Sequence, residues 1–217
     1  MKIIYYDKDI VVCQKDVGEL SEGEEKNALP RLISEELVAR GESNLAIFPV
    51  HRLDKDTLGA IVFARNSSSA ASLSKHIQTG HFSKEYLAVC HGSPQDKSGK
   101  LCDLLYYDRG RGKSFVVDKE RAGVKRAELE YTLKQSTSDL SLLAVKLFTG
   151  RTHQIRVQFA SRKNPLCGDR RYGAPKGEAT TPALLSHKLT FPHPTKNEIM
   201  SFTCDAPSNY PWNFFDI

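Results

Sequence analysis

The chain has 217 residues, of which 40% are hydrophobic and 26% charged, and its formal net charge is +5. This is an ordinary globular composition, long enough to bury a core, and it excludes a disordered or fibrous polymer. No apolar run approaches membrane-spanning length, and the opening MKIIYYDKDIVVCQKD has neither an uninterrupted apolar segment nor a small-residue cleavage site, so no spanning helix and no signal peptide are read.

KIIYYD and IVVCQKD read as two short strands around Asp7-Lys8-Asp9, followed by the polar loop GELSEGEEK (18–26). ALPRLISEELVARG places Leu29, Leu32, Ile33 and Leu37 at a helical period and stops at Gly41. LGAIVFAR (58–65) is a buried-strand pattern. SSSAASLSKHIQTG (67–80) reads as a helix capped by its serines and closed by glycine. KEYLAVCHG (84–92) is strand-like and leads into a glycine-bearing connection. The stretches near 114–117, 127–135 and 140–148 are strands, with AELEYTLK alternating most cleanly. Thr152–Ser161 reads as a short helix capped by Thr152, burying Ile155 and Phe159 and presenting His153 and Arg156 elsewhere. LLSHKLTF and EIMSFTCDAP close the chain as two strands around HPTKN.

Strands outnumber helices and no βαβ rhythm appears. The expected fold is therefore α+β: one domain over 1–217, with a mixed, mostly antiparallel sheet and a few flanking helices. Neither GxGxxG nor GxxxxGK[ST] occurs, which argues against a dinucleotide or P-loop protein. Five cysteines at 13, 90, 102, 167 and 204 form no CxxC pair, which argues against a zinc ribbon or dithiol site; an odd count without a secretion signal fits free thiols in the cytoplasm.

The charge is unevenly distributed. Residues 1–50 hold 6 Lys and Arg against 10 Asp and Glu, whereas 108–126 hold 7 against 3 and 151–171 hold 6 against 1. Two basic clusters suit a phosphate backbone better than a small neutral substrate, although a solvated face explains each of them equally well from charge alone.

Two stretches carry chemistry. HRLDKDTLGA (51–60) sets His51, Arg52 and Asp54 at the mouth of the apolar run AIVFA. Charges there are costly to desolvate unless paired or used, and taken alone the stretch reads as a surface turn with a local ion pair. GRTHQIRVQFA (150–160) sets Arg156 in the first turn of its helix, where a cation opposes the helix dipole; a carboxylate partner would offset that cost, and Asp54 is a candidate.

HRLDKDT-G, KEYLAV and GRTHQIRV, in this order and spacing, resemble the RluA-type family of RNA pseudouridine synthases. The resemblance extends to VVCQK, PLCGDRRYG (165–173), LLSHKLTFPHP and FTCDAP, and so covers nearly the whole chain. The chain departs from the family pattern at Leu58, where a serine is usual, and at Lys15-Asp16-Val17-Gly18, where Lys-Pro-x-Gly is usual. The second departure is expected to loosen the first loop, because no proline fixes φ. No S4-like RNA-binding domain precedes the catalytic motifs, which implies a stand-alone synthase.

The resemblance implies the pseudouridine synthase fold with a central RNA-binding cleft, and isomerisation of a flipped-out uridine in an rRNA or tRNA stem-loop. The reaction needs no cofactor and no metal, and the protein is expected to act as a monomer away from membranes. Asp54 matches the catalytic carboxylate, acting on C1′ as a nucleophile or on the C2′ proton as a base. Arg156 matches the arginine that keeps it ionised and oriented. Tyr86 matches the tyrosine that stacks on the extruded uracil, and Arg52 the residue that fills the vacated gap. His51, Arg151, His153 and Lys84 are expected at the RNA, with smaller roles: His51 orients the loop, Arg151 and Lys84 meet phosphates, and His153 does either or is a satisfied buried histidine. Lys188 is a further phosphate candidate, Asp56 is expected to be structural, and Tyr172 lines the RNA groove or packs. The competing reading is a non-catalytic RNA-binding protein or RNA chaperone on the same scaffold. A small-molecule glycosyl hydrolase fits the clustered Lys and Arg less well.

Overall fold

The computed structural model describes residues 1–177 and 179–217. The chain divides into two compact units, one formed by Met1–Lys84 with Leu185–Cys204 and the other by Glu85–Leu184 with Asp205–Ile217.

In the first unit, β1 (Lys2–Tyr6) and β2 (Ile10–Lys15) pair antiparallel, and β2 pairs antiparallel with β4 (Leu58–Ala64). The apolar run of β4 is buried almost throughout, as a central strand requires. The two-residue β3 (Phe48–Pro49) lies along the end of β4. On the other side, β10 (Leu184–Pro192) joins β4 in parallel, and β11 (Ile199–Thr203) extends β10 antiparallel. Helix α1 (Leu29–Ala39) buries Leu29, Ile33 and Leu37, carries Pro30 in its first turn and ends just before Gly41 at φ 81°. Helix α2 (Ser67–Gln78) packs against β4. Its cap is Asn66, whose side chain accepts the N–H of Ser69, and not one of the serines that follow; the extended backbone at Asn66 lets its amide reach back into the first turn.

The parallel junction of β4 with β10 allows no side chain at residue 59. Gly59 sits at φ 114°, and a Cβ there would collide with the carbonyl oxygen of Ser186 while lying 2.8 Å from Leu185 Cδ1. Gly59→Ala is expected to lose about 2–3 kcal/mol of stability from strain and overpacking, read as a fall in the thermal unfolding midpoint. An unchanged midpoint would show that the strands separate at no cost.

The second unit is a sheet in the order β5 (Ser83–His91), β9 (Leu140–Leu147), β8 (Val124–Ser136), β6 (Ser98–Asp108), β7 (Lys113–Val117). The pairs β9–β8, β8–β6 and β6–β7 are antiparallel. The fold is thus α+β with a mixed, mostly antiparallel sheet and few helices. Strand β6 falls where the sequence reads only as a glycine-bearing connection. Its SGKLCDLLYYD has a weak apolar rhythm because much of the strand is solvent-facing. Helix α3 (Gln154–Ala160) packs on β6 and β7, with Val157 beside Leu105, Ala127 and Tyr172. It is buried on every face from Gln154 to Phe159, so Arg156 is enclosed along with Ile155 and Phe159.

Candidate active-site residues

In the first unit, the loop from His51 to Thr57 is pinned from several sides. Leu53 is buried and turned into the core. Its backbone is clamped by Ser21, whose Oγ accepts the Leu53 N–H at 2.9 Å and donates to the Leu53 carbonyl at 2.9 Å. Half-buried Asp54 follows, with its carbonyl accepting the Thr57 N–H at 3.0 Å.

The principal support under this loop is Lys15, the lysine of the Lys15-Asp16-Val17-Gly18 stretch, for which the sequence suggests no role. Its ammonium is fully buried and donates to the carbonyls of Asp16, Lys55 and Thr57 at 2.9, 2.8 and 2.8 Å. Burial lowers its pKa to about 8 against the opposing pull of Glu19, Asp56, Asp54 and Asp16. Asp54 is thus one of the charges this ammonium feels, and the attraction favours the ionised carboxylate in return. The Gly18 N–H adds a bond of 2.9 Å to the Lys55 carbonyl, with Gly18 itself at φ 90°. The loop lacking proline is therefore anchored by hydrogen bonds rather than left loose, which corrects the expectation from its sequence. The signal for Lys15 lies in its position: a lysine closing the strand IVVCQK, whose other residues are buried or nearly so.

His51 braces the base of the loop. Its Nε2 accepts the Val62 N–H at 3.1 Å, so the ring proton sits on Nδ1, which is buried. Burial, helped by the nearby Lys84 charge, pushes its pKa down to about 3, and the imidazole is neutral. Its ring lies 5.4 Å from that of Phe82. Lys84 is itself largely enclosed, and burial lowers its pKa. Arg52 is exposed and pairs with Glu22 at 2.9 Å, a surface contact of little energetic weight.

In the second unit, Tyr86 is buried on β5. Arg156 meets a carboxylate, as its place in α3 demands: within its own unit, Asp169 lies against it. Nε and Nη2 donate to the two carboxylate oxygens at 2.7 and 2.9 Å, with both side chains enclosed. The guanidinium carbon also lies 5.2 Å from the centre of the Tyr172 ring. Tyr172 ties the surroundings together. Its hydroxyl accepts the Ser114 N–H at 2.8 Å and lies 2.9 Å from His153 Nδ1. His153 begins α3 in the left-handed region, at φ 55°. The residue before α3 is thus His153, with no side-chain cap, and Thr152 instead lends its carbonyl to the Ser114 hydroxyl at 2.6 Å. Gln154 fixes the approach to the helix. Its Oε1 accepts from Thr149 Oγ1 and the Arg151 N–H, and its Nε2 donates to the Glu128 carbonyl. Arg151 is drawn against β8, donating to the Arg126 carbonyl at 2.9 Å.

Among the described residues, one cluster has metal-ligand character: Asp7, Asp9 and His193. Its acceptors are already taken. Asp7 receives Tyr5, Lys196, His193 and two backbone amides, and Asp9 receives Thr195, Asn66 and Ser69. The Lys196 ammonium against Asp7 supplies the positive charge a cation would bring, so the cluster is a polar latch between β1–β2 and the turn after β10.

A sheet of this kind, carrying the HRLD loop in one unit and the GRTHQIR helix in the other, matches the model of the RNA pseudouridylate synthase family over residues 9–161, and the chain belongs to that family. It is an RNA pseudouridine synthase, an enzyme that isomerises uridine in RNA. The chain is 34% identical, over 97% of its length, to an uncharacterised RNA pseudouridine synthase of Aquifex aeolicus, of which it covers 71%. It is 31% identical, over 96% of its length, to ribosomal large subunit pseudouridine synthase D of Borreliella burgdorferi, of which it covers 66%. The fold is similar to that of human RNA pseudouridylate synthase domain containing 4, with a TM-score of 0.77 over 95% of this chain and 88% of that one, at 23% identity. No helix among the described residues is long and apolar enough to cross a membrane.

Proposed function

We propose that the enzyme converts specific uridines of structured ribosomal or transfer RNA to pseudouridine, with Asp54 as the catalytic carboxylate acting on a flipped-out base. The reaction breaks the N1–C1′ bond, turns the uracil and forms C5–C1′. The C5 proton is lost and N1 gains one, so nothing is added overall. Cleavage develops positive charge at C1′, which an ionised carboxylate stabilises or captures; removing the C2′ proton is the other route open to the same group. Arg156 keeps that carboxylate ionised and aimed, Tyr86 stacks on the extruded uracil, and Arg52 leaves Glu22 to fill the gap in the RNA stack. His51 acts indirectly by bracing the loop, while Arg151, His153 and Lys84 serve the backbone of the RNA. A ribosomal target is supported by the name of the Borreliella burgdorferi relative.

The observation that carries this reading is the anchoring of the Asp54 loop by Lys15, Ser21 and Gly18, which pre-organises one half-buried carboxylate. Asp54→Asn tests it. RNA binding is expected to stay within a few fold while pseudouridine formation in a single turnover falls by on the order of 10⁴-fold or more. Modification at a near-normal rate would remove Asp54 from the chemistry.

A further inference from the structure

A groove of about 350 Å³ opens in the second unit, lined by Leu105, Tyr107, Arg109, Ser114, Gly123, Lys125, Gly150, Arg151 and Thr152. Three cations, Arg109, Lys125 and Arg151, converge on it from the turn after β6, the start of β8 and the approach to α3. Among the described residues, no carboxylate lines it. Among the described residues, none of the three forms an ion pair, although Arg111 and Arg126 beside them pair with Asp108 and Glu128. The single fixed bond is that of Arg151 to a backbone carbonyl, which leaves its charge uncompensated.

Like charges gathered in a concave site repel one another, and the fold does nothing to relieve them. The walls are nonetheless built to hold this shape. Ser114 is buried, its N–H held by Tyr172 and its hydroxyl by the Thr152 carbonyl, so the β7 side and the α3 side are tied together across the floor. Tyr107 is exposed, and its ring stands perpendicular to that of His153 with the centres 6.3 Å apart. Its volume lies within the range of sites that take a small organic ligand.

We infer that this groove is a subsite for one nucleotide of the RNA other than the target uridine, with Arg109, Lys125 and Arg151 on its phosphates and Tyr107 stacked on its base. The subsite rests on the reading of the substrate as RNA and not on the identity of the catalytic carboxylate. Cations on a flexible backbone with an aromatic platform make a sequence-tolerant contact, so the groove contributes affinity and register rather than choice of base.

The test uses a fluorescently labelled, uridine-rich single-stranded RNA of about 12 nucleotides, within the span of known single-strand sites, titrated at several salt concentrations. Against wild type, R109Q/K125Q/R151Q is expected to bind at least tenfold more weakly at low salt. Its plot of log affinity against log salt should flatten by about 2, the loss of three phosphate contacts at about 0.7 each on a single strand. Tyr107→Ala is expected to weaken binding at least fivefold with the salt slope unchanged, because stacking releases no counterions. Lys75→Gln, an exposed cation of α2, sets the effect of removing one charge elsewhere. A triple variant whose slope falls no more than three times that of Lys75→Gln would overturn the subsite, as would a Tyr107→Ala that binds like wild type. Far-ultraviolet circular dichroism and the unfolding midpoint of each variant separate lost contacts from lost fold. If Asp54→Asn keeps its activity while the groove variants lose affinity, the catalytic assignment fails and the subsite stands; the reverse pattern removes the subsite alone.

Discussion

Lys15→Met is expected to slow pseudouridine formation about 100-fold in a single turnover, the cost of moving a reacting group by about an ångström. The substitution conserves length and apolar stem and removes three hydrogen bonds at once. The carbonyl of Lys55 keeps the Gly18 N–H, but that of Thr57 loses its ammonium, and the chain on either side of Asp56 is no longer tied to one point. The wild-type enzyme carries a pH signature of the same device. Lys15 titrates at about 8 in the folded protein against 10.5 for an ordinary lysine. The unfolded chain therefore binds more protons between those values, so the lysine's contribution to stability increases with pH across the window, and below pH 8 its buried charge is a constant cost. Activity moves the other way, because a neutral amine has two N–H donors for three carbonyls. The rate is expected to fall as pH rises from 7 to 9 while the unfolding midpoint does not, and Lys15→Met is expected to lack that alkaline limb. Rates measured across this range alongside thermal melts check both; a level wild-type profile would mean that the charge on Lys15 is immaterial to the loop.

Asp169→Asn is expected to cost about 3–5 kcal/mol of stability, because it removes the charge that a buried guanidinium meets through two hydrogen bonds. For a chain of this size that is a drop of about 10 °C in the unfolding midpoint. Arg156→Met alone leaves the opposite charge buried and is expected to fall by a similar amount. The double variant R156M/D169L should recover most of the loss, since replacing a buried pair by apolar groups of like volume is often close to neutral. It should not recover activity. Differential scanning calorimetry of the four proteins gives the coupling energy, and additive losses would show that Arg156 and Asp169 are independent.

Much of the fold is legible along the chain. The run LGAIVFA becomes the central β4, IVVCQK becomes β2, and the period of LPRLISEELVA becomes α1, because in each the apolar pattern is set by a buried face. Strand β6 is missed for the opposite reason: its exposed residues follow what solvent tolerates, and pairing with β8 and β7 makes it a strand. The caps are misplaced by one residue because cap identity depends on backbone angles that the residue types on either side of Asn66 and His153 share. At the site, the motif residues announce themselves, whereas the partners of the supporting Lys15 and Asp169 do not. Asp169 is 13 positions from Arg156 and Lys15 is 40 from Lys55, and neither spacing reflects a local periodicity. The groove residues Arg109 and Lys125 lie in a cluster the sequence marks only as basic, and convergence on one concavity singles them out from their neighbours.

The alignment of Leu58 and Gly59 with Leu185 and Ser186 joins positions more than 120 residues apart. During synthesis, β4 must wait with one edge of its backbone uncovered until that distant segment leaves the ribosome, by which time most of the intervening sheet has emerged. A nascent chain halted before β10 would hold a strongly apolar strand with one open edge, the kind of edge that recruits other chains. The polar latch of Asp7, Asp9 and His193 fastens the same late-arriving segment to the earliest strands, so the enzyme's N-terminal portion becomes durable only in the last stage of its manufacture.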